Sequence, residues 1–302
     1  MTHLFILNRF AGTKDNTASL EQKIHALDTT DEVIVEYTSC RGDATAIARR
    51  YAEQKSPLRV YACGGDGTAN EALTGLWGHA GCALGIIPIG TGNDFVRSLG
   101  CDSDAFLDVQ KMIDGTTVRV DILTCGEHLG LNVISVGYDC EVADCAQKIK
   151  RLPLMNGSLA YKLAIVYCLF TKRKHTFTPV ADGEAVALMD GYKTQMLCVA
   201  ANGMFYGGGI KCTPQARLDD GNIDFMSIPT VSVPRFAALL STFVQGEHID
   251  NPKLPFVVHK KCRSMQFIDD KPLKIGIDGE MFEMVDPKVK ILPSAFDIIL
   301  PV

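Results

Sequence analysis

Two glycine-rich turns, each set where a strand-like run gives way to a helix-like one, constrain this chain more than any bulk property. The N-terminal part alternates: residues 3–7 read as extended, 17–26 as helical, 32–37 as extended, 43–54 as helical and 58–62 as extended. That βαβα order predicts a layered parallel sheet. Gly64-Gly65-Asp66-Gly67-Thr68 follows, then a helical piece at 70–77 and a buried strand at 83–87. The second turn, Pro88-Ile89-Gly90-Thr91-Gly92-Asn93-Asp94-Phe95, comes directly after that strand. Ligands of open α/β sheets bind outside the carboxyl ends of the strands, so the two turns are expected to face one crevice.

From about residue 118 the texture changes to short β-rich runs at 118–123, 131–136, 195–200, 223–228 and 273–277, separated by turn residues. The boundary is placed near residue 122, giving an α/β domain over 1–122 and a mainly antiparallel sandwich or barrel over 123–294. A mostly helical excursion at 141–171 interrupts the second domain, and a final strand at 295–300 can return to either, so 295–302 is a candidate to complete the first. With 302 residues, 47% hydrophobic and 22% charged, the chain can bury a sizeable core in each part.

A formal net charge of −5 gives no general attraction to nucleic acid, and no such partner is expected. The eleven cysteines are irregularly spaced without a C-x-x-C pair, which reads as reduced thiols packed as small hydrophobes in a cytoplasmic protein. The N-terminus shows no signal-peptide series. The longest apolar run, 159–170, carries Lys162 and falls short of the roughly twenty residues that cross a bilayer.

At Gly64 to Thr68, unpaired backbone N–H groups and the positive end of a helix dipole favour a bound phosphate. Asp66 would repel that phosphate unless it binds Mg²⁺, orients a magnesium-bound water or hydrogen-bonds an incoming hydroxyl. The plainer alternative is a turn whose Asp66 caps the helix. The second turn offers backbone donors and the Thr91 hydroxyl, or is simply a glycine turn with Asn93 or Asp94 as N-cap. Farther on, the acids of 217–224 can cap an Asp-Gly turn, Asp278-Gly279-Glu280 can be only a hairpin turn, and the triple glycine at 207–209 suits a sharp chain reversal. The run 159–170 followed by Lys172-Arg173-Lys174-His175 is either a packed helix with a solvated basic end or a helix resting on an anionic membrane surface.

Together, Gly64-Gly65-Asp66-Gly67-Thr68-Ala69-Asn70-Glu71 and the second turn resemble the diacylglycerol kinase, sphingosine kinase and ceramide kinase superfamily, in its soluble bacterial lipid-kinase branch. The resemblance runs through most of the chain, from Asn8 near the start to Asp278-Gly279-Glu280 near the end. It implies an α/β plus all-β fold: an N-terminal NAD-kinase-like layered domain that binds the nucleotide, a C-terminal β-sandwich domain for the lipid, and an active site in the interdomain cleft. It also implies ATP, Mg²⁺ and a lipid hydroxyl as acceptor, foremost diacylglycerol giving phosphatidic acid.

Matching the family's nucleotide positions assigns Asn8, Arg9, Phe10, Ala11, Gly12, Thr38, Gly64, Gly65, Asp66, Gly67, Thr68, Ala69, Asn70 and Thr91 to ATP contacts. The family's first loop often reads Asn-Pro-x-Ser-Gly, where this chain has Asn8-Arg9-Phe10-Ala11-Gly12. A structural Mg²⁺ would map to the Asp220 side chain and the backbone carbonyls of Arg217 and Asn222, oxygen ligands of the kind Mg²⁺ prefers. Glu280 is implied as the general base toward the lipid hydroxyl, Asp278 as its orienting group or a metal support, and Asp66 as a third catalytic group. The lipid would be met at the membrane surface by peripheral contact, and a homodimer stays open.

A NAD kinase shares GGDGT, but the second turn looks like the lipid-kinase version. No Gly-Lys dipeptide exists to build a Walker loop, and no G-x-G-x-x-G opens a helix after the first strand. A catalytically inactive lipid- or nucleotide-binding module is the remaining rival, against which Asp66, Asp220 and Glu280 are all retained.

Overall fold

The computed structural model describes residues 1–11, 17–150 and 157–302, and two units divide the chain. Unit one holds Met1–Ile122, Gly207–Gly209 and Pro293–Val302; unit two holds Leu123–Tyr206 and Ile210–Leu292.

In the first unit β1 (Thr2–Asn8), α1 (Thr17–His25), β2 (Glu32–Thr38), α2 (Asp43–Ala52), β3 (Leu58–Gly64), α3 (Asp66–Leu76) and β4 (Cys82–Pro88) alternate strictly. The strands pair in parallel in the order β2-β1-β3-β4. Leu4, Phe5 and Ile6 of β1, Val60 to Ala62 of β3 and Leu84 of β4 are all but fully buried, the continuous apolar run that a sheet covered on both faces requires. Pairing aligns Gly64 with Pro88, so β3 and β4 end level and both glycine-rich turns leave the same edge side by side. The short helices α4 (Asp94–Ser98) and α5 (Val109–Ile113) follow, and β5 (Thr116–Cys125) leads out of the unit.

The second unit contains β6 (His128–Gly130), β7 (Val133–Gly137), α6 (Tyr138–Lys150), α7 (Gly157–Thr171), β8 (Thr178–Ala181), β9 (Glu184–Ala185) and β10 (Gln195–Ala201). It continues with β11 (Ile223–Pro229), α8 (Val233–Gln245), β12 (Val258–Cys262), β13 (Ser264–Ile268), β14 (Leu273–Ile277), β15 (Glu280–Met284) and the start of β16 (Lys288–Leu300). One antiparallel sheet runs β12-β11-β10-β7-β14-β15. Facing it, β13 pairs with β8 and with the first residues of β16. Cys198, Ala200, Phe225 and Ile275 meet Phe177, Met265, Phe267 and Val289 in the core between the sheets. Strand alternation sends Leu197, Val199 and Ala201 to the opposite face of β10. That outer side carries α6, α7 and α8, packed through Tyr138, Val142, Cys168, Met196 and Phe256.

The last part of β16 returns to the first unit, where Ile298 pairs with Leu84 of β4. The helical excursion expected at 141–171 is two helices, α6 beginning at Tyr138 and α7 ending at Thr171. Residues 151–156 lie outside the described residues. α8 is a helix in a region expected to be β-rich, and Pro234 in its first turn and Gly246 in the left-handed conformation at its C-cap mark its ends. All eleven cysteines are free thiols. Among the described residues no helix is long and apolar enough to cross a membrane.

Candidate active site

The two glycine-rich turns touch. Gly90 N–H donates to the Gly64 carbonyl at 3.1 Å. A Cβ on Gly90 would stand 2.4 Å from Gly65 Cα, and one on Gly64 would collide with the Thr68 side chain at 2.3 Å. Glycine is therefore required at 90 by the contact of the two turns, and at 64 by the Thr68 side chain of its own turn. Gly67 differs, since a Cβ there would meet nothing within 4 Å, and the open space lies at the N-terminal turn of α3. The Asn93 amide ties the second turn to itself, donating to the carbonyls of Pro88 at 3.1 Å and Gly90 at 2.9 Å, with its own backbone in the left-handed region at φ 56°.

Asp66 does cap a helix, though not its own. Its carboxylate accepts from the backbone N–H of Asp94 and of Phe95, both at 3.2 Å, and so closes the first turn of α4 from across the turn pair. Asp94 is buried, and its carboxylate accepts from Gly208 N–H at 2.8 Å and Gly209 N–H at 2.7 Å. Burial pushes the Asp94 carboxyl above its usual range, the two amide bonds oppose this, and the charge of Asp66 pushes it further up. The sequence alone allows Asp94 as an N-cap and the triple glycine as a chain reversal. Gly207, Gly208 and Gly209 all have positive φ, and a backbone folded that way presents consecutive N–H groups to one carboxylate.

The acids of Asp66 and Asp94 flank Gly92, where a Cβ would sit 2.9 Å from Asp66 Oδ2 and 3.7 Å from Asp94 Oδ2. Each carboxylate has roughly four acceptor positions, and the hydrogen bonds above use two on each. Two carboxylates in a niche without a side chain are a donor set that suits Mg²⁺ together with substrate phosphates.

The first loop is anchored by Asn8 at the end of β1. Asn8 Nδ2 donates to Thr68 Oγ1 at 3.0 Å, and Asn8 Oδ1 accepts from Phe10 N–H at 2.9 Å. Arg9 lies over the Tyr37 ring at 4.0 Å, Phe10 is exposed, and the Ala11 N–H returns to the Asn8 carbonyl. Gly12 lies outside the described residues. Thr38 is buried at the end of β2, Ala69 and Asn70 are in α3, and Thr91 is exposed on the second turn. Glu71, the last residue of the first motif, accepts from Gly42 N–H and Ala44 N–H and so caps α2.

In the second unit Asp278 and Gly279 form a two-residue hairpin between β14 and β15, with φ of 46° and 86° and Ile277 opposite Glu280. Such a turn needs both residues in the left-handed region, which Asp-Gly tolerates. The Asp278 carboxylate is engaged by three backbone donors at the head of β7: Leu131 at 2.6 Å, Asn132 at 3.0 Å and Val133 at 2.9 Å. Its own N–H donates to the Val133 carbonyl at 2.9 Å. The hairpin is thereby bolted to the neighbouring strand, and half-buried Glu280 starts β15 directly after it.

The segment proposed for a structural metal is built differently. Asp220 Oδ1 accepts from Asn222 N–H at 3.0 Å, and Asp220 Oδ2 holds the Lys261 ammonium at 2.5 Å. Lys261 also lies 3.5 Å from the buried Asp224, and Arg217 pairs with Asp219. Burial works against the Lys261 charge, but these carboxylates hold its pKa above the ordinary value. Among the described residues no group of three or more acidic, histidine or cysteine side chains could hold a metal ion. An ammonium ion already stands against the only carboxylate of the expected set, so Arg217, Asp220 and Asn222 as arranged do not fit Mg²⁺. Lys261 is a residue that sequence reading missed, because no motif surrounds it.

The chain matches two family models: the diacylglycerol kinase catalytic domain over residues 2–125, and the YegS C-terminal NAD kinase beta sandwich-like domain over residues 132–300. It is 29% identical over 267 residues to the diacylglycerol kinase of Bacillus subtilis (strain 168), covering 87% of this chain and 84% of that one. It is 30% identical over 246 residues to the diacylglycerol kinase of Staphylococcus saprophyticus, covering 79% and 75% respectively. A crystal structure of a diacylglycerol kinase from Bacillus anthracis str. Sterne superposes with a TM-score of 0.70 at 20% identity, over 99% of this chain and 96% of that one, which shows the shared fold.

Proposed function

The chain belongs to the diacylglycerol kinase family and is a lipid kinase, and from that premise we propose that it transfers the γ-phosphoryl group of ATP, with Mg²⁺, to the free hydroxyl of diacylglycerol. The observation that carries the nucleotide half of this reading is the braced pair of turns at the level ends of β3 and β4, with the N-terminus of α3 opening beside two carboxylates. Phosphoryl transfer asks a protein mainly for positioning and for neutralisation of charge on the phosphate oxygens. Rigid turns supply the first, and the N–H groups of Gly67 and Thr68 at the helix terminus supply part of the second. Mg²⁺ held by Asp66 and Asp94 would supply the rest of that neutralisation.

Glu280 takes the proton from the attacking hydroxyl in this reading, and Asp278 acts as a positioning residue rather than a metal support, since three amides occupy its carboxylate. A general base of this kind contributes on the order of 100-fold or more. The test is a Mg²⁺-ATP phosphorylation assay over diacylglycerol, sphingosine, ceramide, prenol lipids and NAD, repeated with Glu280→Ala and Asp66→Ala. Both variants are expected to keep the wild-type circular dichroism and lose most turnover. A wild-type rate in either removes that residue from the mechanism, and phosphorylation of NAD alone overturns the acceptor.

A further inference from the structure

On the outer side of the six-stranded sheet, α6, α7 and α8 enclose a cavity of about 160 Å³. Its walls are almost wholly apolar, with Ile165, Met196, Leu197, Phe236 and Leu239 among them. An apolar space of about this size stays dry and takes a benzene-sized group. Into this lining the chain sets an acid, Asp139, the second residue of α6. Among the described residues its Oδ1 is buried without a hydrogen-bond partner. The Ser135 hydroxyl and the Cys140 amide attend the rest of the carboxyl.

An acid in the first turn of a helix is ordinary, because the helix dipole favours its charge there. That role asks for an ionised group whose oxygens face amides. Asp139 departs from it on both counts. Burial pushes its carboxyl above the ordinary range, and the hydrogen bonds from Ser135 and Cys140 oppose the rise. Burial thus favours the neutral acid, which has an O–H to donate. A buried polar atom left unpaired is costly, so Oδ1 requires a partner from whatever fills the cavity. His248 on the same wall commits Nε2 to the Cys212 carbonyl at 2.8 Å, which leaves Nδ1 of the neutral ring an acceptor. Asp139 is the group there that can donate to an occupant's oxygen.

Such an occupant is apolar for the walls and carries an acceptor oxygen for Asp139. Diacylglycerol meets both conditions, since each chain begins at an ester carbonyl that accepts and cannot donate. We propose that Asp139 is a specificity-determining residue for the lipid acceptor, donating from its carboxyl to an ester carbonyl while the adjoining hydrocarbon fills the cavity. This role rests on the diacylglycerol reading above. It makes the ester, and not the chain alone, the feature by which the acceptor is selected.

The test compares a short-chain diacylglycerol with the matching dialkyl ether, both dissolved as monomers, under Mg²⁺-ATP. The ether keeps the chains and the hydroxyl and lacks both carbonyls. A site that hydrogen-bonds its substrate rejects the analogue without the partner group, so the wild type is expected to favour the diester by about tenfold or more in kcat/KM. Asp139→Asn, whose NH₂ can donate from the same place, is expected to keep that preference. Asp139→Leu is expected to use diester and ether about equally, through a raised KM for the diester. If Asp139 served only α6, Asp139→Leu would lower both rates together and leave their ratio.

A preserved ratio in Asp139→Leu therefore overturns the proposal, and so does a wild type that phosphorylates ester and ether equally. A wild type that phosphorylates neither removes diacylglycerol as acceptor and this role with it. Should Asp139→Leu not fold, the infrared carbonyl band of the bound diester decides. It is expected at lower frequency in the wild type and in Asp139→Asn than in a hydrocarbon solvent, and an unshifted band overturns the proposal.

Discussion

Gly90→Ala puts the contact between the two turns to a direct test. The new methyl would stand 2.4 Å from Gly65 Cα and 2.9 Å from both Gly65 N and Asn93 Oδ1. Non-bonded carbons settle about 3.5–4.0 Å apart, so the turns must part by about 1 Å. Neither side yields easily, because the close atoms of Gly65 are backbone and Asn93 is pinned by its bonds to Pro88 and Gly90. Forcing a methyl into a packed contact costs about 1–3 kcal/mol. Parting the turns also stretches the 3.1 Å bond from Gly90 to Gly64 past about 3.6 Å, where it ceases to be one, losing about 0.5–1.5 kcal/mol more.

The expected loss is thus about 1.5–4.5 kcal/mol of a stability that is typically about 5–15 kcal/mol, read as the urea unfolding midpoint. A displacement of this size beside the phosphates costs about 100-fold in turnover. Gly67→Ala is the matched control. Its Cβ meets nothing within 4 Å, and alanine is favoured over glycine inside a helix by about 0.8–1 kcal/mol. That variant is expected to unfold at the wild-type midpoint or above it and, on the proposed nucleotide reading, to lose ATP affinity alone, because the methyl fills the space which that reading gives to phosphate. A Gly90→Ala protein with the wild-type midpoint and turnover would refute the bracing, and equal destabilisation by both variants would refute the distinction.

Asp278→Asn keeps a residue that accepts the left-handed φ but turns an NH₂ toward the amides that the carboxylate now accepts, at a cost of about 1–3 kcal/mol in the urea midpoint; if Asp278 positions Glu280, kcat falls while KM holds, and an unchanged midpoint removes the bolt to β7. With Lys261 standing against Asp220, Lys261→Met is expected to gain stability from added Mg²⁺ while the wild type does not, and a chelator that lowers the melting temperature of the wild type but not of Asp220→Ala would show a metal where the ammonium stands. His248 is buried and burial lowers its pKa below 6.5, so below that pH the unfolded chain binds more protons and stability falls as pH drops through the window between the native value and 6.5. His248→Gln should flatten the decline in melting temperature between neutral pH and the acid side of that window, and an identical decline would assign it to other groups, His3 among them, whose pKa burial also lowers.

The strands and helices from β1 to α3 and β4 were legible because strand-like and helix-like stretches alternate, parallel strands buried on both faces read as unbroken apolar runs, and Gly64, Gly78 and Pro88 mark the ends of β3, α3 and β4. α8 was not read as a helix. Its sequence from Val233 to Gln245 sets Phe236, Leu239, Leu240 and Phe243 at helical spacing toward an apolar cavity, with Arg235, Ser241, Thr242 and Gln245 between them, a helical contrast that was passed over inside a stretch expected to be β-rich. Pro234 and Gly246 were the signals that bounded it. The role of Lys261 was equally hidden, since its carboxylate partners Asp220 and Asp224 lie about forty residues away in sequence and meet it only through the pairing of β11 with β12.

Asp66 shows why the site was readable in types but not in arrangement. The sequence offered two exclusive roles, a helix cap or an acid for metal and substrate. Both remain open to one carboxylate once the cap is given to α4, twenty-eight residues on, because two amide bonds leave acceptor positions free. A local motif cannot disclose this, since the capped helix exists at that place only if Gly65 and Gly90 let the turns meet. The two motifs are therefore a single unit of structure, in which the glycines permit the contact, Asp66 fastens it, and Asp94 ties the pair to Gly208 and Gly209. A change in either turn is expected to act on both, and that is why neither motif alone could separate a simple turn from a phosphate site.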